Sequence, residues 1–272
     1  MKSLKLIALV AWCAAFTLGC GTARTSTHTT TLSGLERVHK AGVLLWGADV
    51  VGGVPYVYED PHAPGHYIGF EKDIAEGIAK HLGVKLQLVI KAWDTLIPEL
   101  QRGCFDIAMN GIEDTADRAK IVLFSTPYFV YSQQITVRKG THGIASLNDL
   151  EGKRVATLSG TAAEDLLHSH PAIRVVVAPE IIYSYRDLEN GKADAVLLDS
   201  PIAAAYGSPN PKLKNVGKSF NEGRYIIAFR NEDATLQQAV NEALDAMKKD
   251  GELRDIYRRY GILDEHQEKI GI

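Results

Sequence analysis

Apolar positions along this chain follow two alternating rhythms, and their order predicts the fold class. Val43-Leu44-Leu45-Trp46 is a short apolar run that gives way to Gly47-Ala48-Asp49, the pattern of a strand ending at a loop. Phe70, Ile74, Ile78 and Leu82 then recur every four positions with Gly83 behind them, which predicts an amphipathic helix and its stop. Val84, Leu86, Leu88 and Ile90 alternate with Lys85, Gln87 and Lys91, a strand with one core face. Trp93-Asp94-Thr95 leads into a short helix with Pro98 near its start and Gly103 at its close. Strand, helix, strand in this order implies a βαβ crossover, hence an α/β chain built on mostly parallel sheet.

The stretch Phe105 to Tyr128 carries the densest chemistry. Ile107-Ala108-Met109 reads as a buried strand that runs out at Asn110-Gly111. Beyond Ile112-Glu113-Asp114, Thr115 is a good helix N-cap, with Arg118 three positions on and a second apolar segment, Ile121 to Phe124, behind it. An arginine there sits where open α/β sheets bind ligands, and its guanidinium can grip a carboxylate with two prongs. An arginine on a solvated helix face explains this stretch equally well.

A second unit resembles the first. Leu100-Gln101-Arg102-Gly103-Cys104-Phe105-Asp106 and Leu188-Glu189-Asn190-Gly191-Lys192-Ala193-Asp194 share an L-x-x-G-x-x-D pattern 88 positions apart. Each precedes an apolar strand, so Asn110-Gly111 and Asp199 fall at the carboxyl ends of equivalent strands in two similar lobes. Ser159-Gly160-Thr161 follows strand Arg154 to Leu158 and opens the helical run Ala162 to Leu167. Such a turn is either a cradle for an anionic group or a simple capped turn. Together the residues suit an α-amino acid. Arg118 and the Thr161 turn can hold a carboxylate, Asp199 can pair an ammonium, and Trp93 offers a flat wall. Asp49, at the end of the first strand, could receive a cationic or amide side chain, although a lone Asp is more often a turn residue.

Composition narrows the alternatives. With 272 residues, 46% hydrophobic, the chain can bury one large core or two modest ones, and a net charge of -3 leaves no basic stripe for nucleic acid. The nine histidines are scattered and neither they nor the three cysteines show metal-ligand spacing, so no metal, cofactor or catalytic triad is expected. Lys2 and Lys5 precede an apolar run from Leu6 to Leu18, right for an export signal over residues 1–19. Its ending, Thr17-Leu18-Gly19-Cys20, resembles the lipobox of bacterial lipoproteins, with Thr17 in place of the usual aliphatic residue; a plain cleaved signal is the alternative. The Thr- and Ser-rich segment that follows, to residue 33, reads as a flexible tether.

These motifs resemble the substrate-binding proteins of bacterial polar-amino-acid ABC transporters, solute-binding protein family 3, over nearly all of Leu35 to Leu263. Gly69-Phe70-Glu71-Lys72-Asp73-Ile74, Trp93-Asp94 with Leu96-Ile97-Pro98, and Thr115-x-x-Arg118 with Phe124-Ser125-x-Pro127-Tyr128 carry the resemblance. It implies a two-lobed type II periplasmic-binding-protein fold, each lobe a mostly parallel sheet flanked by helices. Lobe 1 would comprise residues 34–132 and 223–272 and lobe 2 residues 133–222, joined by two crossover hinge strands near Ser132–Gln134 and Gly223–Tyr225. It further implies an extracytoplasmic monomer that closes on a free amino acid and is recognised by a membrane permease, to which the lipobox reading adds a lipid anchor at Cys20. The implied ligand-binding set is Asp49, Trp93, Asn110, Gly111, Glu113, Arg118, Ser159, Thr161 and Asp199. Within it Arg118 and the Gly160-Thr161 turn would take the α-carboxylate, Asp199 the α-ammonium and Asp49 the side chain.

Two departures from the family pattern bear on the ligand site. Glu113 stands where many relatives carry Ser or Thr, and it can turn outward, pair with Arg118 or face a cationic group. Gly52 and Gly53 stand where a second stacking aromatic is common, which leaves Tyr56 or Tyr58 to supply it. The acidic pair Asp49 and Glu113 favours a basic amino acid, with glutamine next. No enzymatic activity is expected; the alternatives are a cyclohexadienyl (prephenate or arogenate) dehydratase on the same fold, with Glu113 as general acid, and a ligand-sensing module. A sensor would need a transmembrane helix after the lobes, and none is read before Ile272.

Overall fold

The structure, a computed structural model, describes residues 32–272 apart from residue 52. The expected signal over 1–19, the Cys20 lipidation site and most of the tether lie outside the described residues. Ser33 N-caps the first helix, Gly34–Ala41, in a reciprocal capping box with Glu36.

The chain forms two α/β lobes, one around each of two five-stranded sheets. In the first sheet Val43–Ala48 lies between Lys85–Ile90 and Ile107–Ala108 and is parallel to both, as a βαβ crossover requires. Two short antiparallel strands, Ala228–Phe229 and Leu123–Phe124, extend it beyond Ile107–Ala108. In the second sheet Arg154–Leu158 runs parallel to both Ala195–Asp199 and Arg174–Ala178. Phe129–Arg138 pairs antiparallel with Ala195–Asp199 on one side and with Leu213–Tyr225 on the other. Phe129–Arg138 and Leu213–Tyr225 are the crossing strands, and their ladder shifts register on either side of Phe220.

The predicted periodicity becomes the core of the first lobe. Phe70, Ile74 and Ile78 are wholly buried on one face of helix Phe70–His81, and Gly83 leaves the helix at a φ of 69°. The chain returns to this lobe at its end. Helices Ala234–Lys249 and Glu252–Arg259 bury Leu236, Val240, Leu244, Leu253, Ile256 and Tyr257 in the same core. A carboxylate locks the junction. Asp233, fully buried, takes two hydrogen bonds from Arg37, at 2.7 and 2.9 Å, and pairs with Arg230 at 2.7 Å.

One local expectation is corrected. Thr115 does not cap an α-helix: only a single 3-10 turn, Arg118–Lys120, forms before Leu123–Phe124 becomes a strand. The Thr115 hydroxyl still accepts from the Arg118 amide, at 3.3 Å. Too few residues separate Thr115 from the apolar segment for the cooperative cost of a helix to be recovered.

Candidate functional site

The site is built where the strand ends of both lobes face one another. The Asp49 amide donates to Asn110 Oδ1 at 3.0 Å, and Asn110 Nδ2 returns a bond to the Asp49 carbonyl at 3.3 Å, which ties two neighbouring strand ends together. Beyond it Gly111 turns at a φ of 64°, and a β-carbon there would meet the Tyr56 ring at 2.9 Å. The Gly111 amide donates 2.7 Å to Glu71 Oε1, inside the first lobe.

The Asp49 carboxylate behaves as a turn residue and a wall residue at once. Its oxygens accept from the Val51 amide at 2.8 Å and from the Trp93 amide at 3.1 Å. Burial nevertheless raises its pKa above the ordinary value, with Glu180 and Asp94 adding repulsion. Trp93 spans the lobes, its indole Nε1 donating to the Ser159 carbonyl at 2.9 Å.

Glu113 takes one of the three courses open to it: it pairs with Arg118. Its Oε2 lies 2.5 Å from Arg118 Nη1, and its Oε1 accepts from the Ala162 amide of the second lobe at 3.0 Å. Arg118 also donates to the Glu113 carbonyl at 2.9 Å and to the Gly160 carbonyl at 2.8 Å, and its guanidinium lies 5.5 Å from the Trp93 ring centre. The Thr161 turn is engaged as well. Thr161 Oγ1 caps the following short helix at Glu164 N, and Glu164 in turn takes the Gly160 amide at 2.6 Å. The turn is capped by Thr161, and its Ala162 amide also holds a carboxylate, that of Glu113.

Asp199, 4% exposed, closes the opposite wall. Its carboxylate accepts 2.7 Å from Gln133 Nε2 and 2.5 Å from the Tyr225 hydroxyl, which itself lies 2.7 Å from the Tyr56 hydroxyl. Burial, then repulsion from Glu113, pushes the Asp199 pKa well above the carboxylate range.

These residues line one cavity. Of the nine expected site residues, Asp49, Trp93, Asn110, Gly111, Glu113, Thr161 and Asp199 reach it. Arg118 and Ser159 do not: Arg118 faces a neighbouring cavity on the far side of Trp93, with Ile97, Ile121 and Gly160. Of the two tyrosines that could supply a second aromatic, Tyr56 lines the cavity along with Trp93, whereas Tyr58 sits in a hairpin away from it. Sequence reasoning missed Glu180, which N-caps helix Ile181–Glu189 at the end of a second-lobe strand, and it missed Tyr225 and Gln133 of the crossing strands. Among the described residues, four carboxyl groups and no basic side chain face the cavity.

The chain has counterparts among known proteins. A model of the bacterial extracellular solute-binding proteins, family 3, matches residues 50–262. The chain belongs to that family. L-cystine-binding protein TcyJ of Escherichia coli (strain K12) is 31% identical over 229 residues, 83% of this chain and 85% of that protein. An ancestral arginine-binding protein, solved bound to arginine, is 36% identical with a TM-score of 0.75 over 80% of this chain and 98% of its own. The ancestral amino acid-binding protein AncCDT-1, a precursor of cyclohexadienyl dehydratase, is 35% identical with a TM-score of 0.78, covering 84% of this chain and 99% of its own. Membership of this family makes the two-lobed architecture that of a type II periplasmic binding protein, as the sequence motifs imply.

Away from the cleft, His81, Asp250 and Glu252 bring ligand atoms within 4.8 Å of one another at the surface, a grouping that sequence spacing did not reveal. Among the described residues no helix is long and apolar enough to cross a membrane.

Proposed function

We propose that this protein binds a polar amino acid in the interlobe cleft outside the cytoplasm and delivers it to the permease of an ABC transporter. The observation that carries the reading is the cavity wall: Asp49, Glu113, Glu180 and Asp199 face it, and no basic side chain does. Low-dielectric walls of one sign concentrate a ligand of the other. Asp199 pairs the ammonium, Trp93 and Tyr56 flank the chain of the ligand, and Asp49 with Glu180 receives its far end. A basic amino acid is favoured, with glutamine next because carboxylates also accept from an amide. Relatives whose names record arginine, cystine and glutamine binding support a polar amino acid. Lobe 1 is taken as residues 34–132 and 223–272 and lobe 2 as residues 133–222, with the crossing strands as hinge. Export by residues 1–19, attachment through Cys20 and a monomeric state complete the proposal.

A thermal-shift screen tests it, using protein unfolded and refolded to strip carried-over ligand. A ligand at about 100 times its dissociation constant stabilises the native state by roughly 2.7 kcal/mol. A shift with basic amino acids supports the reading, and a shift with none of the twenty amino acids defeats it. The second reading, a dehydratase, draws on the relationship to AncCDT-1 and on Glu113 as an acid in the cleft. Turnover of prephenate or arogenate would establish it in place of transport.

A further inference from the structure

The carboxylate of Glu113 occupies the place that the sequence motifs reserve for the ligand's own. Arg118 and the turn at Gly160-Thr161 are the groups expected to receive a carboxylate, and both are spoken for. Glu113, 2% exposed, holds the guanidinium at 2.5 Å with one oxygen and the Ala162 amide at 3.0 Å with the other. Arg118 spends further donors on the Glu113 and Gly160 carbonyls and lies off the cavity wall. An incoming carboxylate would therefore meet four acidic groups and no cation unless it expelled Glu113. Expulsion would leave a buried carboxylate without its partner, which is far costlier than exchanging one solvated ion pair for another. A ligand with amino or guanidino groups and no carboxylate meets no such obstacle. One cation reaches Asp199, whose present hydrogen-bond partners, Gln133 and Tyr225, are neutral. A second reaches Asp49 and Glu180.

We propose that the cleft selects diamines and guanidino-amines over the corresponding basic amino acids, with Glu113 as the selecting residue. The inference rests on the proposed reading of the cleft as a ligand site whose acidic wall recognises amino and guanidino groups, and it revises only which ligands carrying those groups bind best. Its chemistry is specificity by rejection: a fixed anion in the carboxylate seat excludes one ligand class while it adds negative field for the other.

Titration calorimetry on refolded wild-type protein with matched pairs tests this: agmatine against arginine, cadaverine against lysine, putrescine against ornithine. The amine of at least one pair is expected to bind tenfold or more tightly than its amino acid. Glu113→Ser, by freeing Arg118, is expected to raise the affinity for that amino acid at least tenfold and to weaken the amine. The wild-type comparison stands alone if the variant does not fold. An amino acid that outbinds its amine in the wild type overturns the inference and leaves the proposed function standing. Silence from all three pairs overturns the inference, and silence from all twenty amino acids as well overturns both.

Discussion

Tyr225 donates its hydroxyl to Asp199 Oδ2 at 2.5 Å, which joins a crossing strand to the acid that ends a second-lobe strand. With Gln133 on its other oxygen, Asp199 is held in place by neutral donors, and a cationic partner would favour its ionised form. Asp199→Asn keeps the volume and both neighbours within hydrogen-bond reach but removes the charge. Ligand affinity should fall by about 100-fold, in line with the roughly 2–5 kcal/mol lost when a buried charge pair is truncated. The melting temperature without ligand should stay within a few degrees. Titration and a thermal melt of the variant check both halves; undiminished affinity would remove Asp199 from the ammonium site.

The same carboxyl couples binding to protons. Burial and the Glu113 charge raise the Asp199 pKa, against hydrogen bonds from Tyr225 and Gln133 and the Arg118 charge. A bound cation favours the ionised form, so proton and ligand compete. Affinity should therefore rise with pH through the elevated Asp199 pKa and level off above it, with protons released on binding in the lower range. Titration calorimetry at mildly acidic pH in two buffers of different protonation enthalpy measures the release. Equal heats in both buffers would show that Asp199 is already ionised.

How far these residues can be read in the sequence depends on whether their partners are local. Phe70, Ile74 and Ile78 announce their helix because one turn of helix sets their spacing. Asp49, Trp93 and Asn110 follow from strand ends, and Glu180 could have been found by the same rule applied to strand Arg174–Ala178. Gln133 is different. It meets Asp199 because the antiparallel register places the two opposite each other, and register between distant strands leaves no trace in local pattern. Leu123–Phe124 became a strand for a similar reason, its partner Ala228–Phe229 lying about a hundred residues away. Glu113 stands out by its departure from the family pattern, but its choice among three courses depended on where folding put Arg118 and Ala162.

Trp93 is assigned two roles that can be separated. Its indole Nε1 bonds the Ser159 carbonyl across the cleft, and its ring forms part of the cavity wall. Trp93→Phe removes the hydrogen bond and retains a wall, so affinity should drop by about fivefold, the equivalent of roughly 1 kcal/mol. Trp93→Ala removes both and should cost at least another tenfold. Equal losses in the two variants would mean that the ligand does not use the ring.

Asp233 should matter to folding and hardly at all to specificity. It is fully buried between Arg37 of the first helix and Arg230, whose side chain is 8% exposed. Asp233→Ala leaves the Arg230 guanidinium buried with its strongest partner gone, a loss of about 3–5 kcal/mol. Denaturant unfolding measures it, and the ratio of affinities between any two ligands should not change, since neither arginine lines the cleft.

Glu71 makes the first lobe sensitive to pH. Its Oε1 accepts from the Gly111 amide at 2.7 Å and from the Tyr128 hydroxyl at 2.5 Å, while Oε2 is buried without a partner. Burial, outweighing those bonds, pushes its pKa up to about 8 from 4.5. The folded state thus holds a proton that the unfolded chain gives up near 4.5. Stability should fall as pH rises from that value and level off above about 8, losing roughly 1.4 kcal/mol for each pH step of one between the two. Glu71→Gln keeps an acceptor for Gly111 and Tyr128 and carries no charge. It should flatten that slope, and the variant should be more stable than wild type at mildly alkaline pH. Chemical denaturation of both proteins across the range decides it: parallel curves would mean that Glu71 stays ionised in the fold, with Tyr128 and Gly111 enough to hold the charge.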